Sequence, residues 1–368
     1  MAHSKETVSQ QPSDAAIGAR LTPAQNRFWA NHAYHRGETV LKNLPEIFAI
    51  ESTNFCNLKC VMCPRGEPDV MERVVGHMPL DLFERILDQM TYFCDPCVLH
   101  WFGEPLMNPK LFEQIAIAKR RIPNLGMSTN ATLLDKENAA RILDSGLDTL
   151  FIAIDGASAE VYEGIRKGAF SFDEVTANAA TFLEMKRASG RPKPRVVLSI
   201  IQMRETEAEL EQFRTEWLAR GADEIRIKPF ITWGNQMPEL TDLAASADSR
   251  KWAYPRSFPC KYLWSSVVIA WDGRVVPCCY DYDAKMDMGD LKTSSLAEIW
   301  NSPRYVEFRR AELEGRNDTA LCATCSEAPG HRRNPQWGAE GSPEWRHTFP
   351  ESESAWRRWG RTLAGKAK

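Results

Sequence analysis

The stretch ESTNFCNLKCVMCPR, residues 51–65, places Cys56, Cys60 and Cys63 within eight residues, directly after the apolar run Ile47-Phe48-Ala49-Ile50. An apolar run with branched residues that turns polar at its end reads as a buried strand delivering its C-terminus into a loop. Three thiolates on such a loop hold an iron–sulfur cluster by three corners and leave one iron open to an external ligand. A zinc loop or a group of core cysteines is the competing reading, but a closed zinc site takes four ligands.

On either side of this loop the chain has a regular plan. From Pro45 to about Asn235, short apolar runs alternate with longer helical stretches, the pattern of βα units around a parallel sheet. Strands are predicted near residues 46–53, 97–102, 123–129, 148–155, 194–202 and 223–230, with helices near 79–91, 108–120, 134–145, 171–188 and 206–220. In front, Thr22-Pro23 is a good helix start, cap followed by proline, for a leader helix running to about Gly37. Residues 1–18 are polar and lack the apolar core of a secretory signal. Cys94-Asp95-Pro96-Cys97 has redox-motif spacing, but it is predicted to precede a strand rather than open a helix, so both thiols read as structural.

Residues 236–259 turn polar and proline-bearing and read as a linker. Beyond it come Cys260, the strand-like run Ser265–Trp271, a hairpin turn at Asp272-Gly273, the pair Cys278-Cys279, a serine-capped helix at 294–301, and Cys322-Ala-Thr-Cys325. The hairpin brings Cys260 and Cys278 to one end of two antiparallel strands. With Cys322 and Cys325 they make a four-thiolate site, which spacing alone leaves open between a zinc ribbon and an iron–sulfur cluster. Residues 330–368 carry Trp337, Trp345, Trp356 and Trp359 among arginines and read as a tail wrapped over the preceding domain rather than a nucleic-acid surface.

Composition bounds the reading. At 368 residues the chain holds one large domain with a smaller one, or a single elaborated barrel. A net charge of −3 gives no reason to expect a nucleic-acid or membrane-surface partner, and no apolar run approaches the ~20 residues of a membrane span. A cytoplasmic location is expected, where ten cysteines point to metal binding rather than disulfides.

The C-x3-C-x2-C spacing, with Met62 just before the third cysteine, resembles the radical S-adenosylmethionine (SAM) superfamily. That resemblance implies an α/β fold, a partial (β/α)6 TIM-like barrel with its chemistry at the C-terminal ends of the strands. It also implies a 4Fe-4S cluster on Cys56, Cys60 and Cys63, with SAM on the open iron and Met62 beside it. SAM is then cleaved to methionine and a 5′-deoxyadenosyl radical with a flavodoxin- or ferredoxin-type reductant as partner. Trp101-Phe102-Gly103-Glu104-Pro105 resembles the family's Gly-Gly-Glu-Pro segment with Phe102 in place of the first glycine. Gly103 then allows close approach of the backbone, and the Glu104 carboxylate pairs with the methionine ammonium. The segments ending in Ser128, Asn130 and Asp155 resemble those that face SAM, and Arg166 and Arg204 are further candidates, with a surface ion pair as the alternative for either. Lys228 and Trp233 are expected to contact the substrate.

Cys260, Gly273, Cys278, the Leu296–Trp300 helix, Cys322 and Cys325 resemble the SPASM/twitch extension of this superfamily. Cysteines for a second auxiliary cluster are missing after Cys325. The resemblance therefore implies one auxiliary 4Fe-4S cluster held at all four corners, as in the twitch-type aminocyclitol dehydrogenases, with Cys279 spare or exchanged for Cys278. A fully ligated cluster suits electron uptake from a substrate radical, so the expected activity is oxidation of a small molecule such as a sugar or cyclitol. The alternatives are a maturase of a ribosomally made peptide, a redox-neutral epimerase or decarboxylase with Cys279 or Cys97 as hydrogen donor, and, from another class, a non-catalytic electron carrier or zinc-stabilised binding protein.

Overall fold

The computed structural model describes residues 21–67, 69–245, 259–314 and 320–325. The predicted polar tail up to residue 20, residues 246–258 of the predicted linker and the tryptophan- and arginine-bearing tail lie outside the described residues.

The leader helix α1 (Pro23–Arg36) forms as its ends dictate. Thr22 and Gln25 close a capping box, Pro23 sits in the first turn, and Gly37 ends the helix at φ +66. Its Tyr34 ring meets Trp264 edge-on at 5.5 Å and its hydroxyl donates to Pro259 O at 2.9 Å, so the leader docks against the C-terminal segment.

The barrel follows in chain order: β1 (Glu46–Ile50), β2 (Lys59–Cys60), α2 (Leu80–Gln89), β3 (Phe93–Val98), α3 (Leu111–Ala118), β4 (Leu125–Thr129), α4 (Lys136–Asp144) and β5 (Thr149–Ala153). Then come α5 (Ala159–Ile165), β6 (Arg166–Lys167), α6 (Phe172–Ser189), β7 (Arg195–Gln202), α7 (Leu210–Ala219) and β8 (Glu224–Pro229). The C-terminal part supplies α8 (Tyr262–Ser265), β9 (Ser266–Ile269), β10 (Val275–Val276), α9 (Leu296–Trp300), α10 (Pro303–Leu313) and α11 (Ala320–Thr324).

One sheet runs β10-β9-β1-β3-β4-β5-β7-β8. The six strands from β1 to β8 are parallel, each predicted from its apolar run, and the helices between them cover one face. That outer face holds the main core, including Ile47, Phe83, Ile115, Leu150, Phe182 and Phe213. The inner face carries a second cluster of Ala49, Val98, Phe151, Val197, Val268 and Val276, and the register shift between Ile47 and Ala49 is what puts these two residues of β1 on opposite faces. The hairpin β9–β10 joins the same sheet, because β9 lies parallel to β1 with Ile47 opposite Val267 and Ala49 opposite Val268. No described helix is long and apolar enough to cross a membrane.

One strand is displaced from its predicted place. The second barrel strand spans Phe93–Val98 rather than 97–102, so Cys94 and Cys97 lie within it instead of preceding it. Proline normally demotes a run from interior strand to edge. Here the β1–β3 register jumps from Ile47–Phe93 to Ala49–Val98, which leaves residues 94–97 opposite Phe48 alone and takes Pro96 out of that ladder.

Candidate functional site

The three-cysteine loop is fixed through its main chain. Lys59 and Cys60 pair antiparallel with Lys167 and Arg166 in the β2–β6 ribbon. Val61 N–H donates to Ile165 O at 3.0 Å, and Gly66 N–H donates to Cys63 O at 2.7 Å. A Cβ on Gly66 would fall 2.2 Å from Cys60 O, so only glycine lets the chain turn back against the loop. Burial pushes the Cys56 thiol up to about 11 and Cys63 up to about 12, neighbouring thiols adding to both, and burial raises Cys60 as well. Thiols this reluctant to ionise need a metal to hold them as thiolates. Among the described residues, which include all ten cysteines, no disulfide forms. The donor set therefore fits an iron–sulfur cluster.

Glu104 lies beside this loop. Gly103 precedes it at φ +82, where a Cβ would stand 2.5 Å from Phe55 O, so the tight turn requires glycine. The Glu104 carboxylate accepts from Asn130 N–H at 2.7 Å, Thr129 Oγ1 at 2.9 Å and Leu106 N–H at 3.1 Å. It makes no ion pair among the described residues, and burial pushes it up to about 7. A buried carboxylate without a counter-cation, next to a three-thiol loop, fits the ammonium of a bound amino acid. Asn130 continues the link, its Nδ2 donating to Asn57 Oδ1 at 3.0 Å and reaching Cys56 Sγ at 3.9 Å.

Asp155 and Arg166 form a buried pair, with Arg166 Nη2 2.6 Å and Nε 2.9 Å from Asp155 Oδ2, while Ile201 N–H donates to the other carboxylate oxygen at 2.8 Å. Through the ribbon this pair is tied to Cys60. Lys228 stands opposite Ile201 on β8 and is pushed down by burial, with Asp155 opposing that shift and Arg166 and Arg226 adding to it. His100, which sequence reasoning missed, falls on the same face as Val98 two residues beyond it. Its Nδ1 accepts from Ser128 N–H at 3.0 Å, and burial, then Lys228, hold it down to about 3. It is a neutral imidazole whose Nε2 carries the proton. A polar residue just past a strand end was its only signal in the sequence.

Of the remaining candidates, Arg204 takes the surface ion pair that was its alternative, and Met62 and Trp233 lie against the three-cysteine loop. Arg204 is exposed and paired with Glu205 at 3.0 Å, so its guanidinium is spent on the surface. The Met62 side chain is buried with Leu58, Ile165 and Met203. Trp233 donates its indole N–H to Met62 O at 2.9 Å rather than leaving it for a substrate.

The C-terminal cysteines converge from distant positions. Cys260, Cys278, Cys322 and Cys325 line one cavity, closed by Leu263, Met286 and Phe308. Cys279 does not line it; it faces a neighbouring crevice with Tyr262 and Val268 and packs on the inner-face cluster. The structure thus groups Cys278, not Cys279, with the other three. Burial carries Cys260 well above the ordinary thiol range, and the adjacent Cys279 together with burial does the same for Cys278. Among the described residues no three such side chains converge on a point that one ion would fill. Four sulfurs around one cavity fit the four corners of an iron–sulfur cluster.

Comparison with known proteins agrees with this geometry. Residues 50–215 match the radical SAM superfamily and residues 260–326 match SPASM, an iron–sulfur cluster-binding domain. A tungsten-containing aldehyde ferredoxin oxidoreductase cofactor-modifying protein of Pyrococcus furiosus is 24% identical over 71% of this chain and 82% of that protein. The PqqA peptide cyclase of Gluconobacter oxydans is 26% identical over 81% of this chain and 86% of its own. The SAM-dependent 2-deoxy-scyllo-inosamine dehydrogenase of Niallia circulans is 19% identical over 78% and 94%. Among solved structures, BtrN in complex with AdoMet and 2-DOIA superposes with TM-score 0.52 at 18% identity, covering 77% of this chain and 93% of BtrN. Streptococcus suis SuiB bound to precursor peptide SuiA gives 0.57 at 14% identity, covering 82% and 74%. These two share the fold.

Proposed function

This chain is a radical SAM enzyme with a C-terminal SPASM iron–sulfur domain, and from that premise we propose that it oxidises an alcohol carbon of a small polar substrate, a sugar or cyclitol. The carrying observation is the cavity lined by Cys260, Cys278, Cys322 and Cys325, which offers one thiol for each corner of a four-iron cluster. When bound, SAM and its cluster, reduced by one electron from a flavodoxin- or ferredoxin-type donor, would supply a hydrogen-abstracting radical, and the four C-terminal cysteines would hold a cluster able to accept the electron released as the substrate radical loses a proton.

The chain's own residues bind and orient. Cys56, Cys60 and Cys63 hold the SAM-binding cluster, and Glu104 receives the methionine ammonium, which relieves its buried charge. Asn130 and Ser128 present polar groups at the end of β4, and the Asp155–Arg166 pair fixes the opposite wall. Lys228 and the His100 Nε2–H orient polar groups of the substrate. A second reading, modification of a peptide, is favoured by the similarity to the PqqA peptide cyclase.

The test is iron, sulfide and zinc per chain after anaerobic reconstitution, for the intact protein and for Cys322→Ala/Cys325→Ala. About eight irons falling to about four supports the oxidation reading. About four in both, with zinc in the intact protein, makes the C-terminal site structural and leaves a redox-neutral reaction. Incubation with aminocyclitols and amino sugars then separates the substrate classes: a ketone formed alongside 5′-deoxyadenosine supports the small-molecule reading, and its absence across the panel favours the peptide.

A further inference from the structure

Phe102 is the position at which the glutamate-bearing segment departs from glycine, and it lies at the middle of a chain of aromatic rings. At one end, Trp233 Nε1 donates to Met62 O at 2.9 Å, the carbonyl of the residue before Cys63. The Trp233 ring lies 5.2 Å from Phe102, and Phe102 lies 5.2 Å from Trp101. At the other end, Trp101 Nε1 donates to Cys279 O at 2.8 Å, the carbonyl of the residue after Cys278. Each end is a directional bond to the main chain beside a cysteine of one of the two sites.

The chain is braced along its length. Gln236 Nε2 donates to Trp233 O and to Tyr280 O, both at 2.8 Å. A Cβ on Gly234 would come 2.5 Å from Leu321 Cδ1 and 3.6 Å from Cys325 Sγ, so the Trp233 loop also rests on the helix that carries Cys322 and on Cys325 just beyond it. The Arg73 guanidinium stacks 4.6 Å from the Trp101 ring while bonding Glu51 at 2.7 and 2.8 Å. Trp233 is held at φ +57, a conformation a bulky residue keeps only when its surroundings over-determine it.

We propose that Trp233, Phe102 and Trp101 are positioning residues that couple the two cysteine sites, so that loss of the auxiliary site loosens the three-cysteine loop and weakens SAM binding. The physical basis is that close-packed rings with fixed ends transmit a shift rather than absorb it. Because Phe102 is the central contact, replacing it with the glycine of the resembling segment uncouples the sites.

The test is a double-mutant cycle on SAM affinity, measured by calorimetry on the full-length, anaerobically reconstituted protein. In the otherwise native chain, Cys322→Ala/Cys325→Ala is expected to weaken SAM binding about tenfold, within the usual range of coupling between sites. In a Phe102→Gly background the same change is expected to cost less than about twofold, and Phe102→Tyr is expected to restore the full effect. Trp233→Phe, which keeps a ring and removes the N–H, should give an intermediate coupling and alter the electron paramagnetic resonance signal of the SAM-bound reduced cluster. It carries the cycle if Phe102→Gly does not reconstitute. Equal losses of affinity in the native and relay-variant backgrounds, or no loss on removing the auxiliary cysteines, overturn the proposal. The inference rests on Cys56, Cys60 and Cys63 holding the SAM-binding cluster. That reading fails separately, and visibly, if Cys56→Ala retains all of the iron.

Discussion

The two cysteine sites solve one problem in opposite ways. Cys56, Cys60 and Cys63 come from one loop, held by a two-residue ribbon and a glycine turn, and beside them lies a buried carboxylate that makes no ion pair among the described residues. Cys260, Cys278, Cys322 and Cys325 are gathered from three separate segments around an apolar-walled cavity. Three local donors would leave one corner of a cluster for a ligand, with a carboxylate beside it; four gathered donors would close every corner. The difference teaches that ligand count and surroundings, more than the thiol itself, separate a site that binds a small molecule from one suited to moving an electron.

The sharpest break would come from removing each site in turn. Cys60→Ala should abolish 5′-deoxyadenosine formation and lower bound iron by about four. Cys322→Ala/Cys325→Ala should keep SAM cleavage at saturating SAM, lose about four irons and lose the ketone product, by chromatography of the same reaction mixtures. Next in size is the choice between adjacent thiols: Cys278→Ala should lose the auxiliary iron, and Cys279→Ala should keep it. Equal loss from both would dissolve the distinction drawn from the cavity.

The junction between the sites gives a smaller effect. Arg73 and Glu51 are fully buried, and the same carboxylate accepts Trp271 N–H from the hairpin at 3.1 Å and Phe102 N–H at 3.3 Å. Arg73→Ala strands that carboxylate and should cost about 3–5 kcal/mol in denaturant unfolding.

The smallest effect is at Glu104, whose carboxyl is pushed up to about 7 by burial. A carboxyl raised in the folded state contributes stability that is full below the unfolded value near 4.5 and is lost as pH rises through about 7. Glu104→Gln should therefore make the SAM-free protein more stable by about 1–3 kcal/mol at pH 8 and change little at pH 4. SAM affinity should move the other way, rising between about pH 6 and 8 in the native chain and falling roughly tenfold in the variant. A flat stability difference across this range would show that Glu104 is not buried as a charge.

The legible parts were those with local pattern. Each barrel strand announced itself as an apolar run, and the leader helix as Thr22-Pro23 with Gly37 at its end. The exception was β3, where Pro96 masked an interior strand because the irregularity that tolerates it shows only in the register against β1. His100 was illegible because a lone histidine carries no period; only pairing of β3 with β4 sets it on Ser128. The bond from Trp233 to Met62 O was illegible because the two residues lie 171 positions apart in the chain.

By itself the sequence determined the three-cysteine loop, the order of βα units and the number of thiols in each site, since all of these follow from spacing and periodicity over short windows. Tertiary structure alone decided that β9 lies parallel to β1 and extends the same sheet, that Cys278 rather than Cys279 faces the other auxiliary thiols, and that Phe102 bridges Trp101 and Trp233. The physical reason is that these choices are settled by packing between segments far apart in the chain, where a one-residue step turns a side chain to the opposite face and no local pattern records which face has a partner.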